Sequence, residues 1–320
     1  MIRLGATRLC FLALVLLFAC RESRAQNAAM AATFQTSAQM VLVPVSVTDH
    51  SGKTIMGLQA KDFNIFDDQA RQEIVSFSNE DAPCSVGMVL DISGSMRQSL
   101  AVAKEGASAF FKTANPDDEF LLLTVSTLPA SSGFTTDTAA LAENIAYTRP
   151  GGMTALIDTV YLGLSRMKKA SHPQRAVVIL SDGMDNHSRY SRSELLRVAL
   201  EADVQIYAII VDGAAGGGST GGAPFRPSLV GKPGDQAAAR QGPELLEELA
   251  DKTGGLYFHA RGDAEAKEAM VKAGEAVRNQ YVIGYQIADS GTPGKYHRIR
   301  VKSTVPKVNV HARSGYYSRD

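Results

Sequence analysis

The residues best suited to chemistry in this chain are Asp91, Ser93 and Ser95, which form an Asp-x-Ser-x-Ser motif. The motif directly follows the apolar run from Val86 to Leu90, which predicts a buried strand, and a helical spacing of apolar residues follows it. Open α/β sheets place their ligand sites at the carboxyl ends of strands. Three small oxygen-bearing side chains at such a point suit a hard cation such as Mg²⁺.

Two further segments are expected to converge on this motif. The sequence Gly151-Gly152-Met153-Thr154 places a hydroxyl at the start of a predicted helix, and Asp182 follows the apolar run from Ala176 to Leu180. In a parallel sheet, strand ends of the same sense lie on one edge. We therefore predict that one ion is surrounded by Asp91, Ser93, Ser95, Thr154 and Asp182.

The elements that must position these residues alternate between strands and helices. Four nearly continuous apolar runs predict strands buried on both faces: Val86 to Leu90, Phe120 to Val125, Ala176 to Leu180 and Val204 to Val211. Amphipathic segments with helical spacing lie between and after them, starting at Met96, Leu156, Leu195, Leu245 and Ala266. This alternation predicts an α/β fold with a doubly wound, mainly parallel sheet over residues 84–278, interrupted by a Gly/Pro-rich loop at 212–242.

The regions on either side of this domain have the alternating pattern of antiparallel strands. Residues 37–83 and 279–320 are each too small to form a stable β unit alone. We therefore predict that the two regions pair into one small antiparallel β module, with the α/β domain inserted between them.

The first residues are typical of an export signal. Arg3 and Arg8 precede a short apolar run, and Ser23-Arg24-Ala25 suits cleavage, so residues 1–25 are predicted as a signal peptide and 26–36 as a linker. Lipidation of Cys20 and a retained membrane anchor remain alternatives. After cleavage the chain would be periplasmic or secreted, and with Cys84 as its one cysteine it could form no internal disulfide.

The three metal elements, in this order and on these predicted strand ends, resemble the metal-ion-dependent adhesion site of von Willebrand factor A (VWA) domains. The resemblance runs from Cys84 to Val277, and the flanking β regions resemble exported bacterial VWFA-related proteins. It implies that Ser93, Ser95 and, in the ligand-competent state, Thr154 coordinate Mg²⁺, with Mn²⁺ or Ca²⁺ as alternatives. Asp91 and Asp182 would act mainly through water or as acceptors outside the first shell of ligands. It also implies a protein partner whose acidic residue completes the metal shell.

Other interpretations remain beside this one. Ser95 alone could cap the following helix, and Asp263 in Arg261-Gly262-Asp263 is expected to be an N-cap rather than an adhesion tripeptide. The formal net charge of zero gives no sign of nucleic-acid binding. We expect no enzymatic activity, since no nucleophile and base pair is evident, although a metal-assisted hydrolase is a weaker alternative. A structural or assembly factor of the cell envelope with a purely stabilising metal is the main alternative; the oligomeric state stays open.

Overall fold

A strand with both faces buried lies at the centre of the protein. The computed structural model describes residues 39–79, 81–211, 233–287 and 294–318, and β5 (Cys84–Asp91) is buried along its whole length. Met88 and Leu90 enter one apolar cluster, whereas Val89 enters another. Because side chains alternate across a strand, β5 requires a cover of helices on each face of its sheet.

The central sheet contains β5 together with β6 (Glu119–Val125), β7 (Ala130–Ser131), β8 (Gln174–Ser181), β9 (Gln205–Val211) and β10 (Tyr257–Ala260). The order of these six strands is β10-β9-β8-β5-β6-β7. Every neighbouring pair is parallel except β6 and β7, which are antiparallel. The predicted doubly wound, mainly parallel sheet is thus confirmed.

Helices cover both faces of this sheet. They are α1 (Leu100–Phe111), α2 (Thr138–Tyr147), α3 (Leu156–Met167), α4 (Arg192–Glu201), α5 (Pro233–Thr253) and α6 (Asp263–Arg278). Phe110 of α1 and Met270 of α6 pack in the cluster that contains Leu90, whereas Leu164 of α3 and Leu195 of α4 pack in the opposite one. No helix of the described residues combines the length and the apolar character needed to cross a membrane.

The two flanking regions pair with each other. Their strands are β1 (Gln39–Thr48), β2 (Phe63–Asp67), β3 (Ala70–Gln72), β4 (Ser76–Ser78), β11 (Tyr281–Ile287), β12 (Tyr296–Ser303), β13 (Asn309–Ala312) and β14 (Gly315–Tyr317). Antiparallel ladders join β1 to β13, β4 to β11 and β2 to β12. Val45, Ile65 and Ile283 are fully buried between the two resulting four-stranded sheets. The predicted β module from both ends is confirmed as part of the fold, while its boundaries as a separate domain stay a prediction.

Several elements differ from their predicted limits. The helix expected from Met96 starts at Leu100 and follows a short 3-10 helix, Gly94–Arg97. Helix α2 has only two buried residues, Leu141 and Ile145, and this sparse apolar pattern explains why it was not predicted. Asp263 is the first residue of α6, because Gly262 occupies the cap position, so its assignment as N-cap was wrong.

Other predicted segments lie partly or wholly beyond the described part of the chain. The signal peptide 1–25 and linker 26–36 are outside it, as is most of the predicted loop 212–242. Helix α5 begins at Pro233, within the range predicted as loop. The three alanines at 237–239 favour a helix, and the loop prediction gave more weight to the neighbouring glycines than to these alanines.

Removal of residues 279–320 is expected to unfold the amino-terminal strands. β1 has β11 and β13 as its neighbours and β2 lies between β12 and β3, so the truncated chain leaves β1 without either neighbour and β2 paired with the short β3 alone. Limited proteolysis followed by mass spectrometry should show rapid cleavage within 39–79. A protected 39–79 segment in the truncated chain would show that the two ends fold independently.

Candidate functional site

The candidate site lies where β5 and β8 end side by side. The two strands are parallel neighbours with Leu90 opposite Leu180, so Asp91 and Ser181 reach the same edge of the sheet. Asp91 is completely buried, and both of its carboxylate oxygens are engaged. Oδ1 accepts a hydrogen bond from the Ser93 backbone N–H at 2.9 Å, and Oδ2 accepts one from Ser181 Oγ at 2.6 Å.

Burial sets the electrostatics of this carboxylate. The pKa of Asp91 is raised to about 6: burial is the largest cause and the nearby charge of Asp182 adds to it, whereas the hydrogen bonds from Ser181 and Ser93 oppose the rise. A carboxylate held in such surroundings is stabilised in its charged form by a neighbouring cation. The site therefore combines a buried negative charge with a need for positive charge close by.

The two serines of the motif lie together beside Asp91. Their hydroxyl oxygens are 2.9 Å apart, with Ser93 buried and Ser95 exposed. Ser93 precedes the 3-10 helix but its side chain makes no capping hydrogen bond, and Ser95 lies inside that helix. The capping interpretation of Ser95 was therefore wrong, and its hydroxyl is hydrogen-bonded to that of Ser93 instead.

The loop that carries Thr154 is attached to the loop after β5. Gly94 N–H donates to the Gly152 carbonyl at 3.0 Å, and Gly151 N–H donates to the Ile92 carbonyl at 2.8 Å. Gly152 has a φ of 82°, and a Cβ there would lie 2.6 Å from Thr127 Oγ1, so glycine is required. This attachment places the buried Thr154 at the same edge of the sheet as the serines.

A third loop, after β8, holds the Thr154 loop from the other side. Asn186 Oδ1 accepts from Thr154 N–H at 2.9 Å, and the backbone N–H groups of Asn186 and His187 both donate to the Thr154 carbonyl at 3.0 Å. Asp185 Oδ1 accepts from Leu156 N–H at 3.1 Å and so satisfies a free donor at the start of α3. No motif or apolar spacing in the sequence marks this positioning role of residues 185–187.

Asp182 completes the predicted set. It follows β8, is partly buried, and its Oδ1 accepts from Met184 N–H at 3.0 Å. It is adjacent to Ser181, whose hydroxyl donates to Asp91 Oδ2, and its negative charge contributes to the raised pKa of Asp91. Ser181, which orients Asp91, lies at the same strand end but was not predicted as a site residue.

The chemistry of these donors fits a hard divalent cation. The five side chains offer hydroxyl and carboxylate oxygens, and the set contains neither nitrogen nor sulfur.

Loss of the Asn186 side chain is expected to weaken cation binding without unfolding the domain. Alanine at this position removes the acceptor for Thr154 N–H and leaves that loop less well fixed. Changes in such outer positions lower metal affinity by roughly 10- to 100-fold. Calorimetric titration with Mg²⁺ should show this loss in Asn186→Ala but not in Asn309→Ala, which changes an exposed asparagine in the β module. Equal Mg²⁺ affinities of the two variants would show that Asn186 does not support cation binding.

Comparison with known proteins supports the predicted domain. Residues 86–184 match the family model of the von Willebrand factor type A domain. An uncharacterised protein of Borreliella burgdorferi is 25% identical over 194 residues, which cover 57% of this chain and 55% of that protein. The match thus spans about half of that relative's length. The chain is thus similar to von Willebrand factor type A domains over residues 86–184.

Solved structures with a similar arrangement are more distant. A von Willebrand factor type A protein from Catenulispora acidiphila has 12% identity, covers 89% of this chain and 75% of its own, and gives a TM-score of 0.48. An aerotolerance-related membrane protein from Bacteroides fragilis has 16% identity, with 60% and 98% covered and a TM-score of 0.43.

Proposed function

We propose that the VWA domain of this chain binds a partner protein through a divalent cation, with Mg²⁺ as the expected ion and Mn²⁺ or Ca²⁺ as alternatives. The observation that supports this best is the pair of hydroxyls of Ser93 and Ser95, 2.9 Å apart beside the buried carboxylate of Asp91. When bound, the cation would supply a positive centre for an acidic side chain of the partner.

The role proposed for each residue follows from its charge. Ser93, Ser95 and Thr154 are neutral donors, so direct contact with their hydroxyls would leave most of the ion's positive charge uncompensated. Asp91 and Asp182 would hold the ion through water and by their field. An anionic group from outside the chain is then the natural remaining ligand, and a carboxylate of a partner protein meets that requirement.

The surroundings of the site favour a protein partner. Met153, next to Thr154, has 54% of its surface exposed, and Leu128 has 69% exposed. Met153 N–H donates to Thr127 Oγ1, so the loops that carry the two apolar side chains adjoin each other at the candidate site. Exposed apolar side chains next to a charged centre are common at protein–protein interfaces. An ion that only stabilises the fold would not need exposed apolar side chains beside it.

We further propose that the chain is exported, as a periplasmic, secreted or lipid-anchored protein, and is not an enzyme. Both oxygens of Asp91 already accept hydrogen bonds, which argues against its use as a nucleophile or base. The alternative, an envelope assembly factor with a stabilising metal, differs from the binding proposal in one respect: no partner would then depend on the ion.

Pull-down from the native envelope tests these proposals. The wild type with Mg²⁺ is compared with the same protein in EDTA, with Thr154→Val, and with the control Thr159→Val. Thr159 is also buried, but its hydroxyl donates to the Ala155 carbonyl within α3. A partner retained only by the wild type and Thr159→Val with Mg²⁺ is the expected result.

Three other outcomes would count against parts of the proposal. A partner that stays bound in EDTA contradicts the bridging ion. An ion that stabilises the chain without any metal-dependent partner supports the assembly-factor alternative. Substrate turnover that EDTA abolishes would show an enzyme.

A further inference from the structure

A second group of metal-binding residue types lies in the β module. Asp67 ends β2, Asp68 follows it in the tight turn to β3, and His297 lies in β12, the strand paired with β2. Asp68 and Gln69 both have positive φ, 45° and 75°, as a two-residue hairpin turn requires. One oxygen of each carboxylate and a ring nitrogen of His297 lie within 4.8 Å of one another.

Hydrogen bonds orient both carboxylates, and Asp68 Oδ2 also accepts one from Lys295 Nζ at 3.4 Å. Asp67 Oδ2 accepts from the hydroxyls of Tyr285 at 2.8 Å and Tyr316 at 3.0 Å. Asp68 Oδ1 accepts from the backbone N–H of Arg298 at 3.0 Å. The other oxygen of each carboxylate lies 3.3 Å from the histidine Nδ1. Neighbouring groups therefore orient two carboxylate oxygens towards a single nitrogen.

One buried carboxylate oxygen of this group, Asp67 Oδ1, accepts no hydrogen bond within the described part of the chain. Asp67 is 5% exposed, and its Oδ1 accepts no hydrogen bond from any described residue, although Nδ1 of His297 is 3.3 Å away. Buried carboxylate oxygens are normally satisfied, so this oxygen is suited to bind a cation. The side chain of Asp68 is 42% exposed and leaves a route from solvent.

We propose that Asp67, Asp68 and His297 bind a divalent transition-metal ion, with Zn²⁺ as the best match. One imidazole nitrogen and carboxylate oxygens suit zinc, whereas an all-oxygen set suits Mg²⁺. Ligands about 2.0–2.1 Å from a tetrahedral zinc lie about 3.4 Å apart, close to the two nitrogen–oxygen distances of 3.3 Å. Tyr285 and Tyr316 would act as outer residues that orient Asp67.

A competing explanation needs no metal. The imidazole of His297 could serve as the cationic partner of both carboxylates, and Lys295 Nζ already lies 3.4 Å from Asp68 Oδ2. That lysine contact is half-exposed and weak, so it would yield to a divalent ion. Only direct measurement of metal binding separates the two explanations.

Zinc binding is measured in the Asp91→Asn background, because the VWA site could also take zinc. Equilibrium dialysis gives the stoichiometry, and the absorbance of Co²⁺ in place of Zn²⁺ reports nitrogen and oxygen coordination. Asp68→Asn is added to this background and compared with Asp203→Asn. Asp203 is a matched control, since it too has positive φ (54°) and a side chain 48% exposed. His297→Gln serves as a second ligand variant, with circular dichroism to verify folding.

The expected result is one zinc per chain in Asp91→Asn and in its Asp203→Asn derivative. Asp68→Asn and His297→Gln should each weaken binding by at least about tenfold. Absence of zinc from the Asp91→Asn protein, or equal affinity in the Asp68→Asn derivative, would overturn the proposal in favour of the ion-pair explanation. The result does not depend on whether the VWA site binds a partner.

Discussion

Asparagine at position 91 is expected to abolish stabilisation by Mg²⁺ and to leave the metal-free protein at least as stable as the wild type. Without a cation, the wild type buries a carboxylate at a cost, whereas asparagine is neutral. Its Oδ1 can still accept from Ser93 N–H, and its amide can donate to Ser181 Oγ, so both contacts of Asp91 have a replacement.

The size of the stabilisation by Mg²⁺ follows from the thermodynamic linkage between ion binding and folding. An ion at a hundred times its dissociation constant stabilises a folded protein by about 2.7 kcal/mol, which corresponds to roughly 5–10 °C in Tm for a domain of this size. Thermal unfolding with Mg²⁺ and with EDTA should show this difference in the wild type and in Asp203→Asn, and none in Asp91→Asn. A full Mg²⁺ shift in Asp91→Asn would place the ion elsewhere.

Leucine in place of Arg278 is expected to cause a large loss of stability. Arg278, at the end of α6, forms ion pairs with Asp118 and with Asp81. Asp118 is 1% exposed and also accepts from the backbone N–H groups of Cys84 and Asn115. Loss of the guanidinium leaves this carboxylate buried without a counter-charge, at a cost of about 3–5 kcal/mol.

Urea unfolding measures this loss, and two further variants show its cause. Arg192→Leu breaks the ion pair with Glu248, in which both side chains are about one-third exposed, and should cost less than about 1 kcal/mol. The double variant Arg278→Leu, Asp118→Asn should recover part of the loss, because the buried carboxylate is gone. A double variant no more stable than Arg278→Leu would show that packing of the arginine, not its charge, is what matters.

Local patterns were enough to predict the central sheet. Val86 to Leu90 and Ala176 to Leu180 are apolar throughout. A continuous apolar run is the pattern expected of a strand that is buried on both faces. Because parallel strands end on one edge, the positions of Asp91 and Asp182 followed from the order of these runs. The pairing of the two chain ends was also predictable, since neither end could form a stable sheet alone.

The contacts between the loops of the candidate site are not marked by any such pattern in the sequence. Asn186 reaches Thr154 through a hydrogen bond between two irregular segments, and nothing in the spacing of apolar residues marks either partner. The group of Asp67, Asp68 and His297 was missed for the same reason: His297 is distant in sequence from the two adjacent aspartates and meets them only through the register of β2 and β12. Tertiary pairing, rather than local propensity, decides both arrangements.

The register between β4 and β11 has a consequence for how the chain folds. Ser78 is paired with Val282, although roughly 200 residues of α/β domain lie between them, and closing so long a flexible loop is entropically unfavourable. Once the α/β domain has folded, its two ends lie together and the remaining closure is short. The β module is therefore expected to assemble last, and a chain with a misfolded α/β domain would display unpaired strands that are prone to aggregate.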